Sequence, residues 1–362
     1  MFKESLLDKI LYRVKKLIPK SVFNFFQPAY HAILANAGAL IYRYPSRSMK
    51  VIGVTGTKGK STTVFLLSKI LENALRQAQG KPGKVAACGS LGFKIGEKEW
   101  PNNLKMTMPG RFKIHKFMAE AKKAGCEFLI LEVTSEGVKQ KRHLGIHFDC
   151  AVFTNLHKEH IEAHGSFENY AKAKQELFRA TRNIHVLNAD DPNIKLFGNF
   201  FAKRKIFYGI EKGDIHADKT EIGAEGSIFD VYGTQFKINI GGRFNVSNCL
   251  AALAVSAMYG IDLPSARPVL ESIKSIPGRM EFIQSKPFAV VVDYAHTSES
   301  LEGVYKTLKA KISNFQPACR TGRFPINFQV SILKTKIREN LFAYWVLLAG
   351  EEISGNARNL AK

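Results

Sequence analysis

The spacing of apolar residues changes near Pro45. Before it, apolar residues recur at helical intervals with basic residues between them, and Pro19 ends the first run. The members of that run are Leu6, Leu7, Ile10, Leu11, Val14, Leu17 and Ile18. We therefore predict a basic helical N-terminal segment over residues 1–48. A basic amphipathic helix of this kind either docks on its own protein, which is the commoner case, or contacts an anionic membrane through residues 1–20.

Beyond Pro45 the pattern alternates between short apolar runs and helical periods. Predicted strands are Val51–Val54, Phe128–Val133, Cys150–Thr154, His185–Asn188 and Ala289–Val292. Predicted helices are Thr62–Ala74, Ala119–Gly125, Asn169–Ala180, Asn245–Tyr259 and Ser298–Lys311, and Gly209–Ile240 is predicted to be a β excursion. Such alternation indicates an α/β fold with a mostly parallel sheet covered by helices on both faces.

Composition and charge narrow the choice of partners. The 362 residues carry a formal net charge of +22, which favours polyanions, and nine Lys or Arg face two Asp or Glu in the first 50 residues. No aromatic-basic RNA motif or zinc-finger spacing occurs, so nucleotide phosphates are a better expectation than nucleic acid. Five scattered cysteines and the lack of a long apolar run or a signal-peptide pattern favour a cytoplasmic protein.

The strongest chemical signal is V-I-G-V-T-G-T-K-G-K-S-T-T, from Val51 to Thr63. A predicted strand leads into a glycine-bearing loop and then into a helix, which is the arrangement that cradles phosphates. Gly56 and Gly59 let backbone N–H groups approach phosphate oxygens. Lys60 is expected to pair with the β- and γ-phosphates and Ser61 to bind Mg²⁺. The loop is shorter than the usual G-x-x-x-x-G-K-[ST] pattern.

Later segments extend this signal in a fixed order. They are Glu132-Val-Thr-Ser-Glu-Gly137 with Gln140 and Arg142, Thr154-Asn-Leu-His-Lys-Glu-His160, Tyr170 to Phe178, Asn188-Ala-Asp-Asp-Pro192, Phe244-Asn245 with Asn248, Pro277-Gly-Arg-Met-Glu281 and Asp293-Tyr-Ala-His296. Together with the P-loop they resemble the Mur ligase family over roughly residues 50–310, and within it the type that makes UDP-N-acetylmuramoyl-tripeptides.

This resemblance implies a reaction and a set of roles. ATP phosphorylates a substrate carboxylate, an amino acid's amine attacks the acyl phosphate, and phosphate leaves; cations are needed to hold the anions together. The ATP-binding residues implied are Gly56, Thr57, Lys58, Gly59, Lys60, Ser61, Thr62, Asn248 facing adenine, and Arg279 and Asp293 near phosphate or ribose. Those implied for metal binding and catalysis are Ser61, Glu132, His160 and Lys174, besides the catalytic Lys60; those for the sugar-peptide substrate are Thr134, Gln140 and Arg142.

Lys174 corresponds to the family lysine that becomes carbamylated. Reaction with CO₂ turns a cation into an anion able to organise a second Mg²⁺, which His160 would help to hold. Taken singly, each residue has an ordinary alternative: a solvated Glu132, a structural His160, a surface Lys174, or Asp293 as a helix cap. The order and spacing of the whole set favour the catalytic interpretation.

The chain also departs from the family pattern. Glu136 stands where the family usually has His, and Glu159 where it has Asp. Residues 1–48 resemble no UDP-binding N-terminal domain. We expect residues 49–282 to form the central ATP-binding domain and residues 283–312 to begin a Rossmann-like C-terminal domain.

Residues 313–362 lack the family's G-G-x-R-D…K-R-P block. Read one nucleotide forward, a back-translation of Phe342 to Lys362 permits C-V-L-G-A-A-G-G-G-R-D-K-W-K-R-P-K-F-G-K, so we predict an out-of-frame, loose tail. The alternative is a genuine lineage-specific tail. A buried Trp345 in a compact fold would contradict the loose tail.

The leading hypothesis is a monomeric ATP-dependent ligase that adds an amino acid to a UDP-muramoyl peptide in peptidoglycan synthesis. A folylpolyglutamate synthase-like ligase is the second enzyme hypothesis, although that relative usually has another Gly before the Ser. A nucleotide-binding remnant is the non-enzymatic alternative.

Overall fold

A computed structural model describes residues 20–80, 84–104, 106–159, 161–284, 289–313 and 345–349. The helix predicted between Leu6 and Ile18, and His160, lie outside the described residues. The chain divides into two compact units. The first comprises residues 1–64 and 71–206, and the second comprises residues 65–70 and 207–362.

The first unit contains the elements that follow one another up to residue 206. Its helices are α1 (Lys20–Ile41), α2 (Lys60–Gln79, of which residues 65–70 belong to the second unit), α3 (Arg111–Lys123), α4 (Ser135–Lys139), α5 (Ile161–His164), α6 (Phe167–Ala180) and α7 (Lys195–Gly198). Its strands are β1 (Lys50–Thr55), β2 (Val85–Gly89), β3 (Gly92–Ile95), β4 (Lys98–Trp100), β5 (Phe128–Glu132), β6 (Cys150–Phe153) and β7 (Ile184–Asn188). A 3-10 turn covers Pro45–Ser48.

The strands of this unit form one sheet in the order β4-β3-β2-β5-β1-β6-β7. β2, β5, β1, β6 and β7 pair in parallel, while β3 and β4 are antiparallel. Nearly every residue of β1, β5 and β6 is buried, which explains why their sequences are continuous apolar runs instead of alternating ones. Because β1 is central, the loop that follows it lies at the middle of the sheet's carboxyl edge.

Close packing around β1 depends on one glycine. A Cβ on Gly53 would stand 2.8 Å from Leu177 Cδ1 of α6 and 3.0 Å from the Phe148 ring. Leu177 and Phe148 are both buried, so α6 lies directly on the strand. This contact fixes α6, and with it the side chains that α6 carries towards the loop after β1.

The second unit combines small sheets with two helices and a further strand-helix pair. Its elements are β8 (Arg204–Gly209, which begins in the first unit), β9 (Ile215–His216), β10 (Asp218–Ile222), β11 (Ser227–Val231), β12 (Thr234–Ile238), α8 (Arg243–Met258), α9 (Leu263–Ser272), β13 (Glu281–Gln284), β14 (Ala289–Asp293), α10 (Ser298–Ser313) and β15 (Trp345–Ala349). β10, β11 and β12 form an antiparallel sheet, as do β13, β14 and β15.

One apolar cluster in the second unit joins segments that are far apart in the chain. Ala224, from the loop between β10 and β11, shares one apolar cluster with Met280 and with residues of β14 and α10. The β excursion therefore shares its core with the chain after residue 280, and the sequence pattern gave no signal for this long-range contact.

Most predicted elements are present with shifted ends. Helix α2 ends at Gln79 instead of Ala74, where Gly80 adopts φ 62° and donates its N–H to Arg76 O. Helix α3 begins at Arg111, eight residues before the predicted start at Ala119, and β2 was not predicted. No helix among the described residues is long and apolar enough to cross a membrane.

Five residues of the tail are described. Residues Trp345–Ala349 form β15, which pairs antiparallel with β14; the loose tail over residues 313–362 stays a prediction. The β-favouring, apolar composition of β15 suits an edge of β14 that was open to pairing. The rest of the tail from residue 314 lies outside the described residues.

We predict that Gly53→Ala destabilises the protein by about 1–3 kcal/mol, because the added methyl group overpacks the contact between β1 and α6. Denaturant unfolding measures the change. Gly198→Ala is the matched control, since a Cβ at this helical glycine meets nothing within 4 Å. Equal stability of the two variants would contradict the proposed packing.

Candidate nucleotide site

The loop after β1 passes against the end of β6. Gly56 has φ 152°, and a Cβ there would stand 1.9 Å from Thr154 Oγ1 and 3.0 Å from the backbone N of Asn155. Gly59 has φ 80° and is the residue before the first turn of α2. Both conformations favour glycine, and the first turn of α2 presents backbone N–H groups that have no partner within the helix.

The segment after β6 fixes this loop through hydrogen bonds. Asn155 accepts from Thr57 N (2.9 Å, main-chain O) and from Lys58 N (2.8 Å, Oδ1). Thr154 Oγ1 donates to Lys58 O at 2.6 Å, and His157 N donates to Thr57 Oγ1 at 3.0 Å. The T-N-L-H sequence therefore lies beside the P-loop and holds its backbone through hydrogen bonds, which explains why these polar residues follow a buried strand.

The N-A-D-D-P segment, at the end of the next strand, holds the T-N-L-H sequence in place. Asn188 Nδ2 donates to Thr154 O at 2.6 Å, and Asp191 Oδ2 accepts from Leu156 N at 2.8 Å. Asn193 Nδ2 also donates to Leu156 O at 2.9 Å. These residues, for which the sequence predicted no role, position the segment that contacts the P-loop.

Glu132 ends β5 and is brought to the start of α2. Its Oε2 accepts from Ser61 Oγ at 3.1 Å and from Ser90 N at 2.8 Å, and the side chain is buried. A Cβ on Gly89 would lie 2.6 Å from Glu132 Oε2, so a glycine is needed beside the carboxylate. Ser90 was missed by the sequence analysis, because only the pairing of β2 with β5 brings it here.

Lys60 and Lys174 meet at one backbone oxygen. Lys174 Nζ donates to Gly56 O at 2.6 Å, and Lys60 Nζ donates to the same oxygen at 3.1 Å. The Lys174 side chain is 2% exposed and lies over the Tyr170 ring, 4.5 Å from its centroid. Tyr170 in turn shares a 3.1 Å hydrogen bond between its hydroxyl and Thr57 Oγ1.

Burial lowers the pKa of Lys174 well below its ordinary value, and the positive charge of Lys60 lowers it further. The negative charges of Glu159 and Glu132 raise the pKa of Lys174, but by less than burial and Lys60 lower it. A larger fraction of Lys174 is therefore neutral near pH 8 than of an exposed lysine. A neutral amine is the form that reacts as a nucleophile.

The two departures from the family pattern each lie beside a basic side chain. Glu159 Oε1 lies 2.6 Å from Lys58 Nζ, and its side chain is nearly buried. Glu136 Oε1 lies 3.3 Å from His164 Nε2, which also contacts Ser135 Oγ at 3.1 Å. His164 therefore places an imidazole beside the position where the family usually carries one.

The residues predicted to meet the peptide substrate cluster around α4. Thr134 Oγ1 accepts from Gly137 N at 3.1 Å and so caps this helix. Arg142 donates to Gln140 Oε1 at 2.7 Å and to Met108 O.

Arg111 donates through Nε to Gln140 O at 3.0 Å, which adds a second guanidinium to the cluster. Burial, followed by the nearby charge of Arg142, lowers the pKa of Arg111 to about 10. The cluster therefore combines the buried cation of Arg142 with the half-buried cation of Arg111 and favours an anionic ligand.

The remaining predicted ATP contacts belong to the second unit and are described within it. Asn248 is buried on α8 and donates to Asn245 Oδ1 at 3.4 Å. Asp293 accepts from Met280 N at 2.8 Å and from Ala295 N at 2.6 Å. Arg279 lies over the Tyr294 ring, 4.7 Å from its centroid. Arg279 and Asp293 are thus neighbours, as the joint pairing of β13 and β14 requires.

The first unit carries groups that suit the phosphates of ATP and a Mg²⁺ ion. The positive-φ glycines and the start of α2 suit phosphate oxygens, and the Ser61 hydroxyl beside the Glu132 carboxylate supplies hard oxygen ligands. No group of three or more His, Cys, Asp or Glu able to hold a metal occurs among the described residues, a set that excludes His160. Hydroxyl and carboxylate oxygens are the metal-binding donors that this site offers.

Comparison with known proteins agrees with this geometry. The model of the Mur ligase middle domain matches residues 54–256. The UDP-N-acetylmuramyl-tripeptide synthetase of Roseiflexus sp. (strain RS-1) is 33% identical over 305 residues, covering 78% of this chain and 58% of that protein. The UDP-N-acetylmuramoyl-L-alanyl-D-glutamate--2,6-diaminopimelate ligase of Halalkalibacterium halodurans is 35% identical over 286 residues, covering 76% and 57%.

A solved structure of a UDP-N-acetylmuramoyl-L-alanyl-D-glutamate--2,6-diaminopimelate ligase is similar with a TM-score of 0.65 and 28% identity, covering 77% of this chain and 58% of that one. The chain belongs to the Mur ligase family. The predicted fold class and family are thereby confirmed. The chain spans somewhat over half the length of the relatives it matches.

We predict that Gly56→Ala lowers ATP affinity at least about tenfold, because the methyl group would separate the P-loop from Thr154. Isothermal titration calorimetry with ATP and Mg²⁺ measures the change. Gly80→Ala is the control: this glycine also has positive φ, but a Cβ there meets nothing within 4 Å. If both variants bound ATP as the parent protein does, the close approach of the loop to β6 would not matter for binding.

Proposed function

We propose that this chain carries the ATP-binding machinery of a ligase that joins an amino acid to a UDP-N-acetylmuramoyl peptide in peptidoglycan synthesis. The observation that supports it best is the convergence of Lys60 and Lys174 on Gly56 O, with Ser61 and Glu132 joined beside them. These residues come from three separate stretches of chain. Relatives named as tripeptide synthetase and diaminopimelate ligase support the substrate class.

In the proposed reaction the carboxylate of the peptide attacks the γ-phosphorus of ATP. ADP leaves, and an acyl phosphate forms; the amine of the amino acid then attacks the acyl carbon and displaces phosphate, giving an amide and one proton. The first step brings two anions together, and the second builds negative charge on the acyl oxygen and the departing phosphate, so positive charge must be supplied. Lys60 would leave the carbonyls of Gly56 and Thr57 and pair with phosphate oxygens. The amides of Gly59 and Thr62 would hold other phosphate oxygens, while Thr57 and Lys58, whose N–H groups donate to Asn155, would keep the loop in place around them.

Ser61 and Glu132 are the ligands proposed for Mg²⁺, which would screen the charge of the phosphates. His160 is proposed to hold a second Mg²⁺ with a carbamylated Lys174. The lowered pKa of Lys174 supports carbamylation, because the neutral amine attacks CO₂ and the resulting carbamic acid loses a proton to give the carbamate anion. The modification would replace a buried cation next to Lys60 by an anion, which removes their repulsion.

Substrate contacts follow the predicted residues. Thr134, Gln140 and Arg142 are proposed to bind the sugar-peptide, with Arg142 supplying a buried positive charge. Asn248 is proposed to face adenine, and Arg279 and Asp293 to contact phosphate or ribose. A monomeric state, contact of residues 1–20 with an anionic membrane, the domain limits and the shifted reading frame remain predictions; the coding DNA around codons 310–362 tests the last.

The function is tested by ADP release in three reactions: with UDP-N-acetylmuramoyl-L-alanyl-D-glutamate and an amino acid, with a folate and glutamate, and with ATP alone. We expect release above the ATP-only rate in the muramoyl reaction alone, reduced at least about 100-fold by Lys60→Met, because this lysine is proposed to stabilise charge in the transition state. Lys195→Met, an exposed lysine of the same unit, is the control.

Release with folate would favour the folylpolyglutamate synthase-like alternative. ATP binding without turnover in either reaction would favour a nucleotide-binding remnant.

Carbamylation has its own test. With ¹³C-bicarbonate near pH 8, we expect one carbamate resonance in the NMR spectrum, absent in Lys174→Arg and retained in Lys172→Arg on the exposed side of α6. Because the folded pKa of Lys174 is lowered, the signal should survive to lower pH than that of an ordinary lysine. A resonance that disappears in the Lys172 variant instead, or no resonance at all, would contradict the assignment.

A further inference from the structure

A cavity of about 410 Å³ opens where α1 ends, far from the P-loop. Its lining residues are Leu40, Arg43, Tyr44, Arg47, Ser48 and Lys122. The volume lies within the range of small-molecule sites. Five of its six lining residues come shortly before Lys50, the first residue of β1, whereas the P-loop follows Thr55, the last residue of β1. The six residues of β1 span about 20 Å, so the cavity and the nucleotide site lie at opposite edges of the sheet.

The cavity concentrates positive charge. Arg43, Arg47 and Lys122 are exposed, and within the described part of the chain none of them forms an ion pair with Asp or Glu. The Arg47 guanidinium lies 4.6 Å from the centroid of the Tyr44 ring. Like charges gathered in one concavity repel one another and raise the local positive potential, which an anion relieves.

The backbone holds this arrangement at a conformational cost. Arg43 and Tyr44 have φ angles of 56° and 46°, in the left-handed region that side-chain-bearing residues seldom adopt. Tyr44 N donates to Ala39 O at 2.7 Å and Arg43 N to Leu40 O at 2.9 Å, which ends α1 and turns both side chains into the cavity wall. Retained strain of this kind is common where a segment binds a ligand.

An apolar strip leads along α1 into the same cavity. Ile33, Leu40 and Ile41 are 67%, 64% and 64% exposed. Their spacing of seven and eight residues places them on one face of the helix, opposite the face formed by Ala35, Gly38 and Ala39 that is buried. Leu40 belongs to both the strip and the cavity lining, so apolar and basic surfaces are continuous.

We propose that this docking face, formed by Ile33, Leu40, Ile41, Arg43, Arg47 and Lys122, binds an anionic membrane surface. A phospholipid phosphate would enter the cavity, and the aliphatic side chains would lie among the headgroups and the first methylenes of the acyl chains. A free phosphate ion would leave the aliphatic strip in water. Nucleic acid is a poorer match, because single strands are held by aromatic stacking and the Tyr44 ring is already covered by Arg47.

Further basic residues lie along the sheet edge at which the cavity opens, as binding to an anionic membrane requires. Lys50 and Lys84 stand at the amino ends of the parallel strands β1 and β2, and Lys123 ends α3; all three are exposed. At the same edge, Asp149 Oδ1 lies 4.0 Å from Lys50 Nζ. A protein docked in this way turns its P-loop edge away from the bilayer, towards dissolved nucleotide. This proposal is independent of the ligase function.

The test is co-sedimentation of the full chain with vesicles of phosphatidylcholine, with or without an equal part of phosphatidylglycerol. We expect binding to the anionic vesicles, weakened by about 0.5 M NaCl and not displaced by inorganic phosphate at millimolar concentration. Arg43→Glu with Arg47→Glu should lower the partition coefficient at least about tenfold. Ile33→Ser with Leu40→Ser should lower it several-fold at either salt concentration.

Matched controls are Lys98→Glu with Lys195→Glu for charge, and Phe201→Ser for an exposed apolar residue (69% exposed) outside the docking face. Because all substituted residues are exposed, circular dichroism should show folded proteins. Unchanged binding in both docking-face variants would overturn the proposal and would assign any binding to another part of the chain, such as residues 1–20. Absence of binding to anionic vesicles, or binding to RNA that is lost in the charge variant alone, would overturn it as well.

Discussion

The P-loop keeps its shape because it lies directly against Thr154 and Asn155, the residues that follow β6. Gly56 permits that approach, and Thr154 and Asn155 then bond to the backbone of Thr57 and Lys58. A short loop with only two residues between its glycines can form few hydrogen bonds within itself, so its shape depends on these hydrogen bonds to Thr154 and Asn155. Every other feature of the nucleotide site is placed relative to it: Ser61 on the first turn of α2, Glu132 on the adjacent strand, and Lys174 on the helix that covers β1.

Burial of charge is the second constraint. Lys60, Lys174, Glu132 and Glu159 influence one another at the end of the sheet, and Lys174 has lost nearly all of its contact with water. A buried amine that only donates to a carbonyl is a poor source of stability. Its position is explained if the lysine is held ready for a change of charge, either by carbamylation or by the arrival of phosphates. The same helix face that carries Lys174 also packs Leu177 onto Gly53, so packing and chemistry share one element.

Much of this could be predicted from sequence because the signals are local. Buried strands appear as apolar runs, and the glycine-bearing loop lies between a strand and a helix in the chain itself. Sequence order also indicated that Glu132 and Lys174 belong with Lys60. By contrast, Ser90 reaches Glu132 only through the pairing of β2 with β5, and the pairing of His164 with Glu136 depends on how α5 folds back. The cluster that joins Ala224 to Met280 is likewise set by tertiary contacts between segments far apart in the chain.

The central claim is that Lys60, Ser61, Glu132 and Lys174 surround the phosphates of one nucleotide. A crystal structure of the chain with a non-hydrolysable ATP analogue and Mg²⁺ tests it most directly. We expect the phosphates within hydrogen-bond distance of the amides between Gly59 and Thr62, with Mg²⁺ bound by Ser61 and Glu132 and the Lys174 side chain directed at the same cluster. A nucleotide bound elsewhere, or phosphates in the loop with Glu132 and Lys174 remote from them, would contradict the account.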